Sequence, residues 1–160
     1  MKRYIWLSLS ILWVGFIFFN STRTGADSSV SSGKLVEFAS NILGLFNIKI
    51  PSNILSVIIR KGAHFFEFFL LAIFLYNYFK YLNIVKNSHK YYKNVSIYTF
   101  LIVLGICVMI AATDEFIQLF VENRVGSIID VLIDTSGSIF GLGLIALLNY
   151  KKIKSSLNND

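Results

Sequence analysis

Arg60, His64 and Glu67 recur at i, i+4 and i+7, which sets a guanidinium, an imidazole and a carboxylate on one face of a helix. Asp114, Glu115 and Gln118 close a second apolar run, and Asp130 and Asp134 repeat the i, i+4 spacing near the start of a third, with the cations Lys61 and Arg124 close by in the chain. In a binding site, Arg60 and Arg124 would grip a phosphate through paired N–H groups, Lys61 would act as a point charge, and the carboxylates would accept from hydroxyl or ammonium groups. In an enzyme, His64 would serve as general acid or base with Glu67 or Asp114 orienting it. Asp114, Glu115, Asp130 and Asp134 are of a kind that suits Mg²⁺ or Mn²⁺, but the sequence by itself assigns no metal site and names no cofactor. The chain has neither the G-x-S-x-G nor the H-E-x-x-H pattern, and one histidine in the group argues against structural zinc. A third reading makes the whole group a structural ion-pair and hydrogen-bond network between helices.

The elements that must carry these groups are apolar. The 160 residues are 55% hydrophobic, 16% aromatic and 15% charged, with a mean hydropathy of +0.64; soluble domains carry about 25% charged residues. Runs at about 4–19, 62–79, 95–112 and 128–148 approach the roughly 17 to 25 residues that cross a bilayer as helix. The expected architecture is an all-α, four-helix transmembrane bundle forming one domain over 1–160. Its second helix would begin near Asn53, after Pro51 and Ser52, and continue to Phe79. The first run is expected to be retained as a span, since it ends in "FIFFNSTRTG" without a small-x-small cleavage site.

Between the first two spans, "NSTRTGADSSVSSGK" is expected to be a loop, and Leu35, Phe38, Ala39, Ile42, Leu45 and Phe46 then recur at helical spacing. This predicts an extracytoplasmic amphipathic helix over 34–47, packed on the bundle in preference to lying on the outer leaflet. The net charge of +6 is concentrated beside helix ends: Lys2 and Arg3, then Lys80, Lys86, Lys90 and Lys93, then Lys151, Lys152 and Lys154. By the positive-inside rule these zones are cytoplasmic, and so are both termini, which puts 20–61 outside and makes nucleic acid an unsuitable partner. His89 in the basic connection is expected to be solvated, with Tyr91 and Tyr92 in an interfacial belt. Cys107, alone and mid-span, is expected to pack and not to form a disulfide within the chain.

This topology brings the polar groups of three helices to one outer level. A charge at the centre of a span costs about 2.5 to 3.5 kcal/mol on insertion scales, so the groups require one another, a ligand or water. The apolar inner halves of the helices argue against a transport path. Gly137 and Gly141, in G-x-x-x-G spacing, are expected to bring the last helix close to its neighbours.

"RKGAHFFEFFLL", "TDEFIQLFVENRVGSIIDVLIDTSGSIFG" and the preceding "NSTRTGADSSVSS" together resemble the VanZ-like family of small bacterial membrane proteins, from about Phe19 to Gly141. Phe68 stands where that family often has Tyr, and Asp134 where Asn is common. The resemblance implies a multi-pass protein of the bacterial cell membrane, whose founding member lowers susceptibility to the lipoglycopeptide teicoplanin, and it supplies no agreed chemistry. Matched position by position, it points to Arg60, Lys61, His64, Glu67, Asp114, Glu115, Gln118, Arg124, Asp130 and Asp134. The expected function is binding or modification of an envelope lipid or cell-wall intermediate in an outward-facing pocket, or recognition of a lipoglycopeptide. The alternative is a membrane-embedded enzyme on a lipid-linked substrate.

Overall fold

The computed structural model describes residues 2–82, 91–92 and 95–157. Among them five helices account for nearly the whole chain: α1 (Lys2–Thr22), α2 (Gly25–Leu45), α3 (Ser52–Phe79), α4 (Ile97–Gln118) and α5 (Ile128–Leu157). A two-residue antiparallel pair, Tyr91–Tyr92 with Val95–Ser96, precedes α4. Lys86, His89, Lys90 and Lys93 of the basic connection lie outside the described residues.

α1, α4 and the segment Ile128–Asn149 of α5 are long and apolar enough to cross a membrane. Helix is the form these sequences take because lipid offers no partner to a bare N–H or C=O. Their outward faces carry large apolar side chains in the open, among them Leu12, Phe19, Met109, Leu132 and Phe140. That is the surface of a membrane protein.

α3 is the central element and packs on each of the other helices. It starts behind Pro51 (φ −56°, ψ 138°), whose ring cannot continue a helix backwards and whose carbonyl accepts from Leu55. Its 28 residues extend about 42 Å at 1.5 Å each. Phe68, Leu71 and Ala72 on α3 meet Ile17 of α1, Val103, Cys107 and Ala111 of α4, and Leu142 of α5 in the buried core. Cys107 is a free, fully buried thiol, in keeping with a packing role.

The closest packing joins α3 to α5. A Cβ placed on Gly137 would lie 2.1 Å from the Phe65 carbonyl oxygen, and one on Gly141 would lie 2.5 Å from that of Phe69. The two helices therefore touch backbone to backbone, as small residues at four-residue spacing permit. Above these contacts Lys61 meets Asp130 and His64 meets Asp134. Residue numbers rise together on both sides of this ladder, so α3 and α5 run parallel.

Two expectations are corrected. The stretch expected to be a loop breaks helix only at Arg23–Thr24, and α2 begins at Gly25, nine residues before the predicted start at Lys34. The segment holds no proline, and Ser and Asp are residue types that the first turn of a helix accommodates. At its other end α2 closes at Leu45, two residues short of the expected 47. Asn47 takes a left-handed φ of 57°, Ile48 N–H bonds to Leu43 O at 3.0 Å and Asn47 N–H to Gly44 O at 3.1 Å, the Schellman pattern. The second correction concerns the apolar stripe of α2, expected to pack on the bundle. α2 rests against α3 and buries Val36, while Leu35, Phe38, Leu45 and Phe46 stand 57 to 81% exposed. A helix docked mainly against one neighbour leaves the far side of its stripe bare.

Candidate functional site

The polar groups collect at one end of the bundle, where α1 and α4 finish and where α5 begins one loop later. α3 contributes Lys61, His64 and Glu67 from successive turns of one face. α4 extends to Gln118, beyond the predicted 112, because Asp114, Glu115 and Gln118 point inward and are buried at 0, 5 and 6% exposure. The loop from Leu119 to Ser127 turns back through Asn123 at φ 59°, and a Cβ at Gly126 would lie 2.5 Å from the Glu115 carbonyl. Ser127 then opens α5, its carbonyl accepting from Asp130 N–H at 3.0 Å and Val131 N–H at 3.2 Å.

These carboxylates are held individually. Asp114 accepts from Ser21 Oγ at 2.5 Å and from Gln118 Nε2 at 3.2 Å; Glu115 accepts from Gln118 Nε2 at 3.1 Å and from the Ser127 N–H at 2.7 Å. Glu67 accepts from Asn20 Nδ2 at 3.0 Å, and its own carbonyl accepts from Trp13 Nε1 at 2.8 Å. Asp130 pairs with Lys61 at the edge of the site. Asp134 is fully buried with His64 Nδ1 at 3.5 Å from its Oδ1, too long for a good hydrogen bond.

A cavity of about 230 Å³ opens over this floor, lined by Asn20, Ser21, Arg23, Leu35, Ile59, Arg60, Ala63, His64, Glu67 and Arg124. A second hollow of about 170 Å³ shares Arg60, His64 and Arg124 with it and adds Gln118, Asn123, Val125 and Asp130. Arg124, in the loop and outside the spans, donates from Nη2 to the Asn20 carbonyl at 2.9 Å. Burial lowers its pKa from the usual arginine value; Asp114 works against that fall, and the nearby Arg60 adds to it. Cations held this close favour an anion between them.

The sequence-predicted residues thus divide. Arg60, His64, Glu67 and Arg124 line the larger cavity, and Gln118 and Asp130 the smaller, with Lys61 tied to Asp130. Asp114, Glu115 and Asp134 lie buried beneath, so the expected single water-filled hollow is a basic mouth over an acidic floor. The spacing argument also placed Asp130 with Asp134, whereas the structure gives them different partners one rung apart. What sequence reasoning missed is α1: Asn20 and Ser21 reach Glu67 and Asp114 directly. Their signal was present as the first polar residues after an apolar run, at the same level as the other groups. Trp13→Phe tests the α1–α3 junction below them. Loss of its bond to the Glu67 carbonyl is expected to lower stability by about 1 kcal/mol, measured by unfolding in detergent.

An all-helical membrane protein with an arginine-lined, acid-floored pocket at one end of its bundle is the class that fold and site define. A family model described as VanZ/LLP1 matches residues 6–149, nearly the whole chain. The chain belongs to the VanZ-like family. Comparison with curated proteins and with solved structures returned no match.

Proposed function

We propose that the pocket binds the anionic head group of an envelope lipid or lipid-linked cell-wall intermediate, at the outer face of the cell membrane. The observation that carries this is the composition of the larger cavity. Arg23, Arg60 and Arg124 meet there with Asn20, Ser21 and His64 and outnumber the one carboxylate, Glu67, which Asn20 holds, while Leu35 and Ile59 supply apolar wall. A phosphate would bridge the guanidinium groups, and an acyl or prenyl chain would leave along the apolar side. In this reading α3 is the fourth span, long enough to cross with its first turns above the hydrocarbon. Both termini are cytoplasmic, by the placement of Lys2, Arg3, Lys151, Lys152 and Lys154. The bare face of α2, with Phe38, Leu45 and Phe46, lies on the outer leaflet beside the mouth. Sequestering or altering such a lipid would lower susceptibility to lipoglycopeptides such as teicoplanin.

Native mass spectrometry of the full chain in detergent tests this, with undecaprenyl phosphate and phosphatidylglycerol as probes and phosphatidylcholine as reference. Charge-assisted bonds of about 1.5 to 3 kcal/mol each predict that Arg124→Ala and Arg60→Ala weaken binding of the anionic lipids by about tenfold or more. Equal binding of all three lipids, or anionic binding indifferent to both variants, would overturn the reading. The second reading, an enzyme acting on the same lipid, is favoured by the approach of His64 to Asp134 beside the cavity. It predicts altered envelope lipids in extracts of expressing cells, read by mass spectrometry.

A further inference from the structure

Asp134 is the one carboxylate of the floor whose oxygens have no hydrogen-bond donor among the described residues, although it is fully buried. Hydroxyls stand close by on its own helix, and they are turned elsewhere. Thr135 Oγ1 donates to Val131 O at 2.7 Å, Ser136 Oγ to Ile133 O at 2.6 Å and Ser138 Oγ to the Asp134 carbonyl at 3.1 Å. His64 Nδ1 is likewise buried and without a hydrogen-bond partner, and it faces the same carboxylate. A buried charged acceptor left this way is unfavourable, and it is relieved either by a proton or by a positive partner in the space it faces.

One donor atom from each of His64, Asp114, Glu115 and Asp134 can be chosen such that all lie within 4.8 Å of one another. A divalent cation bonded at about 2.0 to 2.5 Å spans donors up to about 4 to 5 Å apart, so these atoms stand at the outer limit of a coordination sphere and would draw in by a few tenths of an ångström around a smaller ion. The remaining bonds at Asp114 and Glu115 have the character of an outer shell. Ser21, Gln118 and the Ser127 N–H each fix a carboxylate oxygen and leave it further acceptor capacity. The set differs from the acids grouped by spacing alone: Asp130 is engaged by Lys61, and His64 takes the place it would have had.

We propose that His64, Asp114, Glu115 and Asp134 hold a divalent metal ion between α3, α4 and α5, beneath the basic mouth of the pocket. Carboxylates with one imidazole suit Mn²⁺ and also admit Zn²⁺ in a site with an open position. The ion would neutralise the buried acids, and His64, which lines both hollows, would set it next to whatever anion the arginines hold. This goes beyond the head-group reading and does not depend on it, because the cation is measured with no lipid ligand added.

The full chain, purified in detergent and stripped with a chelator, is titrated with Mn²⁺ and read by the paramagnetic resonance of the free ion. A separate titration with Zn²⁺ is read against a chromophoric chelator. Saturable binding of a single ion per chain is expected for at least one of the two metals. Asp134→Asn and His64→Gln should each weaken it by about a hundredfold or more, beyond the tenfold to hundredfold that loss of an outer-shell partner costs, and Glu122→Gln, an exposed loop carboxylate, should leave it unchanged. Should Asp134→Asn fail to fold, His64→Gln carries the comparison. Absence of a saturable site for both metals, or binding that the folded variants leave intact, overturns the proposal.

Discussion

Gly137→Ala is expected to destabilise the protein by about 3 kcal/mol, near the upper end of what overpacking costs. The added methyl would stand 2.1 Å from the Phe65 carbonyl oxygen and 3.0 Å from its carbon. Neither atom can retreat alone, because that carbonyl belongs to the backbone of α3. Relief requires the two helices to part, which also disturbs the contact of the Phe65 and Phe140 rings, 5.5 Å apart at 64°. Gly143→Ala on the same helix and Gly105→Ala on α4 meet nothing within 4 Å, and by helix propensity are expected to be neutral or stabilising by up to about 1 kcal/mol. Unfolding by increasing SDS in a mild detergent measures all three variants. Equal stability of Gly137→Ala and Gly143→Ala would mean that α3 and α5 do not meet through their backbones.

The second large effect is expected at the junction of α1 with α4. Ser21, 2% exposed, donates to Asp114, 0% exposed, at 2.5 Å. Ser21→Ala removes the donor and leaves a buried carboxylate oxygen unanswered, for a loss of about 1 to 3 kcal/mol. Asp114→Ala frees the Ser21 hydroxyl and takes from Gln118 one of its two carboxylate partners. In a double-mutant cycle the two changes should couple by about 1 to 2 kcal/mol. Strict additivity would show that the contact does not form in the folded protein.

Most of the fold is written in the chain because the constraint that produces it is severe. The apolar runs of α1, α4 and α5 have to be helical in lipid, and Pro51 with Ser52 marks a helix start that needs no tertiary context. What escaped is what depends on neighbours. α4 continues to Gln118 because its last polar turn is buried against α1 and the loop, and nothing in "ATDEFIQ" alone distinguishes that from a helix ending in water. The Ser-rich segment from Gly25 has the composition of a loop, and helix there is a matter of continuation into 34–45. In the site, spacing along one helix correctly grouped Arg60, His64 and Glu67, since i, i+4, i+7 geometry is local. Pairing between helices is not local. Which aspartate meets Lys61 and which meets His64 is set by the register of α3 against α5, and that register is fixed by where glycines allow the backbones to touch.

The rung that joins His64 to Asp134 sits directly above the Gly137 contact, so the spacing of those two side chains is dictated by main-chain atoms that cannot be compressed or drawn apart independently. α3 and α5 therefore act as a fixed jaw. Were the proposed head group to need more room, it would come from the side where α2 rests on α3 and the chain bends at Arg23–Thr24.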